Sequence, residues 1–314
     1  LEMAARNGAD AVKLQTYRPD TITIDHDGPG FRIEGGLWHG STLHGLYSQS
    51  YMPWNWHAPL MARGRELGVH VFSSPFDFSA VDLLASLDAP AYKIASFEAI
   101  DLPLIQKAAA QGKPLIISTG MANLAEIGEA YAAAIAGGCC GVALLHCISG
   151  YPTPVAEANL NIIPDLAARF PEAVIGLSDH TLGTIVSTTA IALGASIIEK
   201  HITLDRADGG PDSAFSLEPD ELAALMRDCR LAWQALGQVR YDLKGSERGN
   251  IAFRRSLYVV ADIAAGDAFT PANVRSIRPG YGLLPKRLPE VIGRRAARSI
   301  RRGEPLDDSM LARD

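Results

Sequence analysis

At 314 residues and 33.6 kDa the chain is long for one ordinary domain and suits a barrel of about 250 residues with a small appendage. With 47% hydrophobic and 20% charged residues and a net charge of −6, it fits neither a disordered segment nor a generally basic nucleic-acid binder. Four cysteines, Cys139, Cys140, Cys147 and Cys229, give no CxxC spacing and no disulfide density, which argues against a zinc ribbon or a secreted scaffold and for a reducing cytoplasm.

Leu1 to Gly8 reads as the tail of an amphipathic helix stopped by a glycine, so no signal peptide is expected and the chain opens inside a structural unit. From residue 11 a short apolar strand followed by polar residues, a loop and a helical stretch recurs. The strands are expected at Ala11–Gln15, Val69–Ser73, Ala91–Ile94, Leu115–Ser118, Val142–His146, Val174–Ser178 and Ile197–His201, with helices such as Asp101–Gln111 and Leu124–Ala136 between them. Strands this apolar, alternating with helices, imply parallel βα units covered on both faces. Seven units after a helix tail suggest an α/β fold, a (β/α)8 TIM barrel whose first strand lies ahead of residue 1; an open doubly wound sheet is the alternative.

Between the first two strands, Arg18 to Trp56 form a long excursion holding Trp38, Trp54 and Trp56, either a functional element or a structural flap. Ala130 to Leu145 is apolar, but it is too short and too split by Gly137-Gly138 to cross a membrane. A helix is expected from Pro219 to about Leu236, capped by Ser216, Asp220 and Glu221 and stopped by Gly237. The barrel is assigned to residues 1–240, a linker to 241–250 with Gly245 to Asn250 at its end, and a small β-rich domain to 251–314, where Ser256–Val260 and Val291–Ile292 are short apolar runs. Residues 245–314 carry 13 Lys and Arg against 8 Asp and Glu, a net of +5, and residues 1–244 carry 16 against 27, a net of −11. The tail's arginines lack interleaved aromatics, so a lid over a site for anionic ligands suits it better than nucleic acid does.

Strand carboxyl ends line the active site of a parallel barrel. Here they offer Lys13 and Gln15; Ser73 and Ser74; Lys93, Ser96 and Glu98; Ser118 and Thr119; His146 and Ser149; Ser178, Asp179 and His180; and Glu199, Lys200 and His201. Lys13 and Lys93 stand in apolar strands, where an ammonium must find a partner or deprotonate. Three readings compete for them: a Schiff-base lysine, a phosphate site built with the hydroxyls, or lysines snorkelling to the barrel rim. His180 and His201, at the ends of consecutive strands, suit a divalent metal with open positions, or are structural. A zinc–thiolate site with Cys147 and Cys139 has poor spacing.

The strings KLQTY, FSSPFD, PAYKIAS, IISTGM, LLHCISGYPTP, GLSDHT, EKHIT and RPGYG, in this order over nearly the whole chain, resemble the sialic acid synthase family. That family condenses phosphoenolpyruvate with an acylamino sugar on a barrel followed by an antifreeze-like (SAF) domain. GLWHGSTLHGLYSQSYMPWNWH and GGPDSAFSLEP look most like its pseudaminic-acid-forming branch, which implies a 2,4-diacetamido-2,4,6-trideoxy acceptor of the altrose type. Synthesis of N-acetylneuraminate or legionaminate is the nearest alternative; a Schiff-base aldolase and a non-catalytic sugar-binding protein are more distant ones.

The resemblance implies that Lys13, Lys93, Ser74, Ser96, Ser118 and Ser178 hold phosphoenolpyruvate, and that His180 and His201 bind Mn2+, with Mg2+ or Co2+ as alternatives. Glu98 would activate water, and Gln15, Tyr151, Asp212 and Phe253 would shape the sugar pocket. Ser149 replaces an Asn of neuraminate-forming members. Arg278 would reach the sugar in a domain-swapped homodimer, and no membrane or nucleic-acid partner is implied.

Overall fold

The computed structural model describes residues 1–313. Two compact units divide after Gly237. In the first, seven strands pair in chain order, all parallel: β1 (Ala11–Thr16), β2 (His70–Pro75), β3 (Tyr92–Ile94), β4 (Leu115–Ser118), β5 (Val142–Cys147), β6 (Val174–Asp179) and β7 (Ile197–Lys200). Each expected strand is present with ends shifted by a residue or so, the usual uncertainty of a boundary.

Alternation along each strand divides its side chains between two environments. On β1, Val12 and Leu14 pack against apolar clusters while Lys13 lies on the other face. The main core joins strand residues Ile94, Leu115, Ile117 and Leu144 to helix residues Leu104 and Ile105, none more than 1% exposed. Helices begin on real caps: Asn123 accepts the amides of Ala125 and Glu126 while Glu126 takes the Asn123 amide, and Gly68, at φ 71°, ends His57–Leu67 in the left-handed conformation that favours glycine.

The sheet curls far enough that Lys13 of β1 and Glu199 of β7, at opposite ends of the strand order, meet at 2.8 Å. This is the TIM-like α/β architecture. Among the described residues no ladder joins β1 to β7, and the eighth strand expected ahead of residue 1 falls outside them. No helix among the described residues is long and apolar enough to cross a membrane.

One local expectation is corrected, and two segments take a form that the sequence left open. The helix Pro219–Leu236 is capped by Glu218, whose amide donates to Glu221 at 2.9 Å, whereas the Ser216 hydroxyl turns back to the Asp212 carbonyl. Gly245–Phe253, whose first six residues read as linker, is a 3-10 run started by Glu247 accepting the Lys244 amide at 2.8 Å. Val291, in the apolar run Val291–Ile292, closes the short helix Leu288–Val291.

The second unit, from Gln238 onward, holds the antiparallel pair β8 (Ser256–Val259) and β9 (Val274–Ile277) and isolated bridges such as Ile263 with Ile300. Its separate core contains Leu257, Val259, Phe269, Val274, Ile300 and Leu306.

Candidate active site at the strand ends

Two lysines converge on one carboxylate inside the curled sheet. Glu199 Oε1 lies 2.8 Å from Lys13 Nζ and 3.4 Å from Lys93 Nζ, and accepts the Ser178 hydroxyl at 3.1 Å; Lys93 also donates to Ser118 Oγ at 2.7 Å. The Lys93 side chain is 2% exposed, which contradicts the snorkelling alternative for that residue. Burial pulls the Lys93 ammonium down to about 8 against the opposing pull of Glu199, and the two lysines hold Glu199 well below the usual carboxylate range despite its own burial. Two ammonium groups with hydroxyls from β4 and β6 are the kind of donor set that a phosphate or carboxylate group takes.

Beside it, Ser96 and Ser149 bond at 2.8 Å. Gly120 is what leaves room for them, since a Cβ at that position would collide with Ser149 Oγ and press on Ser96 and Cys147. Glu98, in the 3-10 turn Ser96–Glu98 after β3, is pushed up to about 7, chiefly by burial, with Asp101 adding to the rise and Lys93 opposing it. Ser74 Oγ and Glu98 Oε2 are buried with no hydrogen-bond partner among the described residues, a rare condition that a bound molecule would relieve. Gln15 is the register partner of Ser74 on β1.

The two histidines stand side by side, ring centroids 5.3 Å apart, with the Tyr151 ring 4.5 Å from His180 and 6.5 Å from His201 and the Phe215 ring 5.1 Å from His201. His180 Nδ1 is 2.9 Å from the Ile148 carbonyl, which fixes Nδ1–H as donor and leaves Nε2 free; burial brings its pKa down to about 4, so the ring is neutral near pH 7. His201 Nδ1 is 3.4 Å from Asp212 Oδ2. A neutral imidazole beside a second one fits a divalent ion that draws its other donors from substrate and water; no cluster of three or more His, Cys, Asp or Glu forms among the described residues.

Cys147 Sγ is 3.9 Å from His180 Nδ1, but Cys139 precedes the opposite end of β5, about 17 Å away along a strand, so no zinc–thiolate pair forms. His146 is structural: Nε2 meets the Ala158 carbonyl at 2.7 Å. Of the three tryptophans of the excursion only Trp38 joins the site, 6.0 Å from Tyr151 and bonded through its indole N–H to the Pro211 carbonyl. Trp54 instead lies under the Arg18 guanidinium and donates to the Tyr17 carbonyl, and Trp56 is exposed. Phe253 and Arg278 are exposed residues of the second unit.

Glu199 is the residue whose role sequence reasoning missed. Its signal was present: it stands two residues before His201 and therefore on the same face as that histidine. Lys13 lies 186 residues away, however, and only the curled sheet joins them.

Comparison with known proteins agrees with this geometry. The model of the NeuB family matches residues 1–241 and that of the SAF domain residues 254–312. A pseudaminic acid synthase of Campylobacter jejuni is 40% identical over 98% of this chain and 89% of its own length, and one of Helicobacter pylori 39% identical over 100% and 92%. Among solved structures, an N-acetylneuraminic acid (sialic acid) synthetase of Leptospira borgpetersenii superposes with a TM-score of 0.70 at 31% identity, covering 80% of this chain and 82% of that one. The chain belongs to the NeuB family and carries a C-terminal SAF domain.

Proposed function

We propose that this enzyme condenses phosphoenolpyruvate with a 2,4-diacetamido-2,4,6-trideoxy sugar of the altrose type, releasing phosphate and forming pseudaminic acid. The observation that carries the reaction class is the convergence of Lys13 and Lys93 on one carboxylate within the ring of strand ends that also bears the paired histidines. The choice of acceptor rests on 39–40% identity over nearly the whole chain to pseudaminic acid synthases, against 35% to an N,N'-diacetyllegionaminic acid synthase of Campylobacter jejuni.

Lys13 and Lys93 bind the phosphate of phosphoenolpyruvate, with Ser74, Ser96, Ser118 and Ser178 donating hydroxyls to its oxygens, and they stabilise the charge that gathers there as the C–O bond breaks. His180 and His201 would hold the divalent ion, Mn2+ being our assignment, with Mg2+ or Co2+ as alternatives. When bound, the ion supplies Lewis-acid activation of the open-chain sugar's aldehyde. Gln15, Tyr151, Asp212 and Ser149 orient the sugar so that its C1 faces C3 of the enol. Glu98 takes a proton from the water that adds to C2, through a carboxylate whose raised pKa suits both accepting and returning that proton.

Trp38, Tyr151 and Phe215 offer an aromatic wall for a C6 methyl and an acetamido group. With the diacetamido sugar and N-acetylmannosamine in competition, the diacetamido product should predominate. Faster consumption of N-acetylmannosamine would reassign the acceptor.

The assembly we propose is a homodimer in which the tail of each subunit covers its partner's barrel, bringing Phe253 and Arg278 to the sugar. Ile100, Met121, Val155, Leu182 and Leu204, which follow β3 to β7 in turn, are each more than half exposed, and apolar side chains beyond the strand ends suit a covering protein surface. The charges, −11 against +5, favour the same docking. Mixing Arg278→Ala subunits with His180→Ala subunits should restore activity, because one of the two sites then carries neither lesion. No recovery despite verified exchange would assign each tail to its own barrel. The four free thiols suit a reducing cytoplasm, where we place the enzyme.

A further inference from the structure

Directly beside the two histidines the sheet buries a charge pair that the reaction does not use. Asp179 and Lys200 are register partners at the ends of β6 and β7, bonded at 2.9 Å with side chains only 1% and 3% exposed. Each precedes one of the candidate ligands, and alternation turns the pair away from the face that His180 and His201 share. The pair also clasps the backbone. Asp179 Oδ1 accepts the Thr181 amide at 2.8 Å, while the Lys200 ammonium donates to the Thr181 carbonyl, so both peptide groups of the residue that follows His180 are held. Asp179 Oδ2 further accepts the Ser187 hydroxyl at 2.6 Å, which ties the turn to the helix Ile185–Ala192.

Stability alone does not account for this arrangement, because apolar residues of similar volume in place of a buried ion pair are often neutral or stabilising. What the pair adds is direction: two strand ends and the turn between them are locked to one point. We propose that the Asp179–Lys200 pair is a positioning device that sets the separation and orientation of His180 and His201 for a single divalent cation. The inference rests on the reading of those histidines as joint ligands.

The test is a Mn2+ titration followed by electron paramagnetic resonance, with thermal unfolding in parallel, on the parent chain, His180→Ala, Lys200→Met and Asp179→Asn/Lys200→Met. The double variant removes both charges and keeps an acceptor for the Thr181 amide, so it stays informative where the single variant fails to fold. The expected result is one Mn2+ bound by the parent and lost in His180→Ala. Folded Lys200 variants should bind at least ~10-fold more weakly with an altered bound-Mn2+ spectrum. At saturating Mn2+ their KM for phosphoenolpyruvate should stay within about two-fold of the parent's, since Lys13 and Lys93 are untouched. A lowered melting temperature with parental Mn2+ affinity and spectrum would make the pair merely structural and overturn the proposal. Parental Mn2+ binding by His180→Ala would instead remove the two-histidine reading, and this inference with it.

Discussion

Replacing Lys93 by alanine should raise the KM for phosphoenolpyruvate by ~100-fold or more while changing the KM for the sugar little. The ammonium is buried, donates to Ser118 at 2.7 Å and shares Glu199 with Lys13, so an arriving phosphate meets it away from bulk water. Removing one partner of such a pair costs about 3–5 kcal/mol, against at most ~1 kcal/mol for a surface charge. Lys93→Met, which keeps most of the volume, separates charge from packing and should show the same KM increase. An unchanged KM in both folded variants would make Lys93 structural. Because burial draws the Lys93 ammonium down to about 8, kcat/KM for phosphoenolpyruvate should fall as pH rises past that value.

Glu98→Gln should lower kcat by about 10²–10⁴-fold and at the same time stabilise the fold at alkaline pH. Both effects follow from one cause. Burial lifts the carboxyl from 4.5 to about 7, so the folded chain holds its proton where the unfolded chain has lost it. For an acid with a raised folded pKa, stability is lost as pH climbs from about 4.5 to about 7. The parent at pH 8 therefore carries a penalty on the order of 3 kcal/mol that glutamine does not. Denaturant unfolding should show Glu98→Gln more stable than the parent at pH 8 and equal to it near pH 4. The ionised carboxylate is also the form that accepts a proton, so parental activity should fall below about pH 7, and with the Lys93 limb this gives a narrow bell. A pH-independent stability difference would remove Glu98 as the titrating base.

The strands were legible because each is a continuous apolar run between turns, and the strand-end rule then put Lys13, Lys93, Ser118, Ser178, His180 and His201 on the page without a structure. What was not legible depends on distance in the chain. Glu199 reads as one charge in an EKH string until the curl of the sheet carries Lys13 to it. The strand-end rule placed Asp179 and Lys200 in the same ring, yet alternation turns them to the other face, where the register of β6 and β7 makes them neighbours buried against each other. Three tryptophans in one excursion suggested a single aromatic flap, but only Trp38 joins the site, since Trp54 finds its partner in the Arg18 guanidinium. Gly245 to Asn250 has linker composition, and its 3-10 turns, with Glu247 accepting the Lys244 amide, were not visible in that composition.

The most direct measurement follows one oxygen atom. Phosphoenolpyruvate labelled with 18O at the oxygen bridging C2 and phosphorus, incubated with the protein, Mn2+ and the 2,4-diacetamido-trideoxy sugar, should give a nine-carbon keto acid. The label should appear in the released phosphate, read by its isotope shift in 31P NMR, because the C–O bond is the one that breaks. Label retained in the keto acid, or no phosphate released in the presence of the sugar, would contradict the anion site formed by Lys13 and Lys93 as the place where that bond is cleaved.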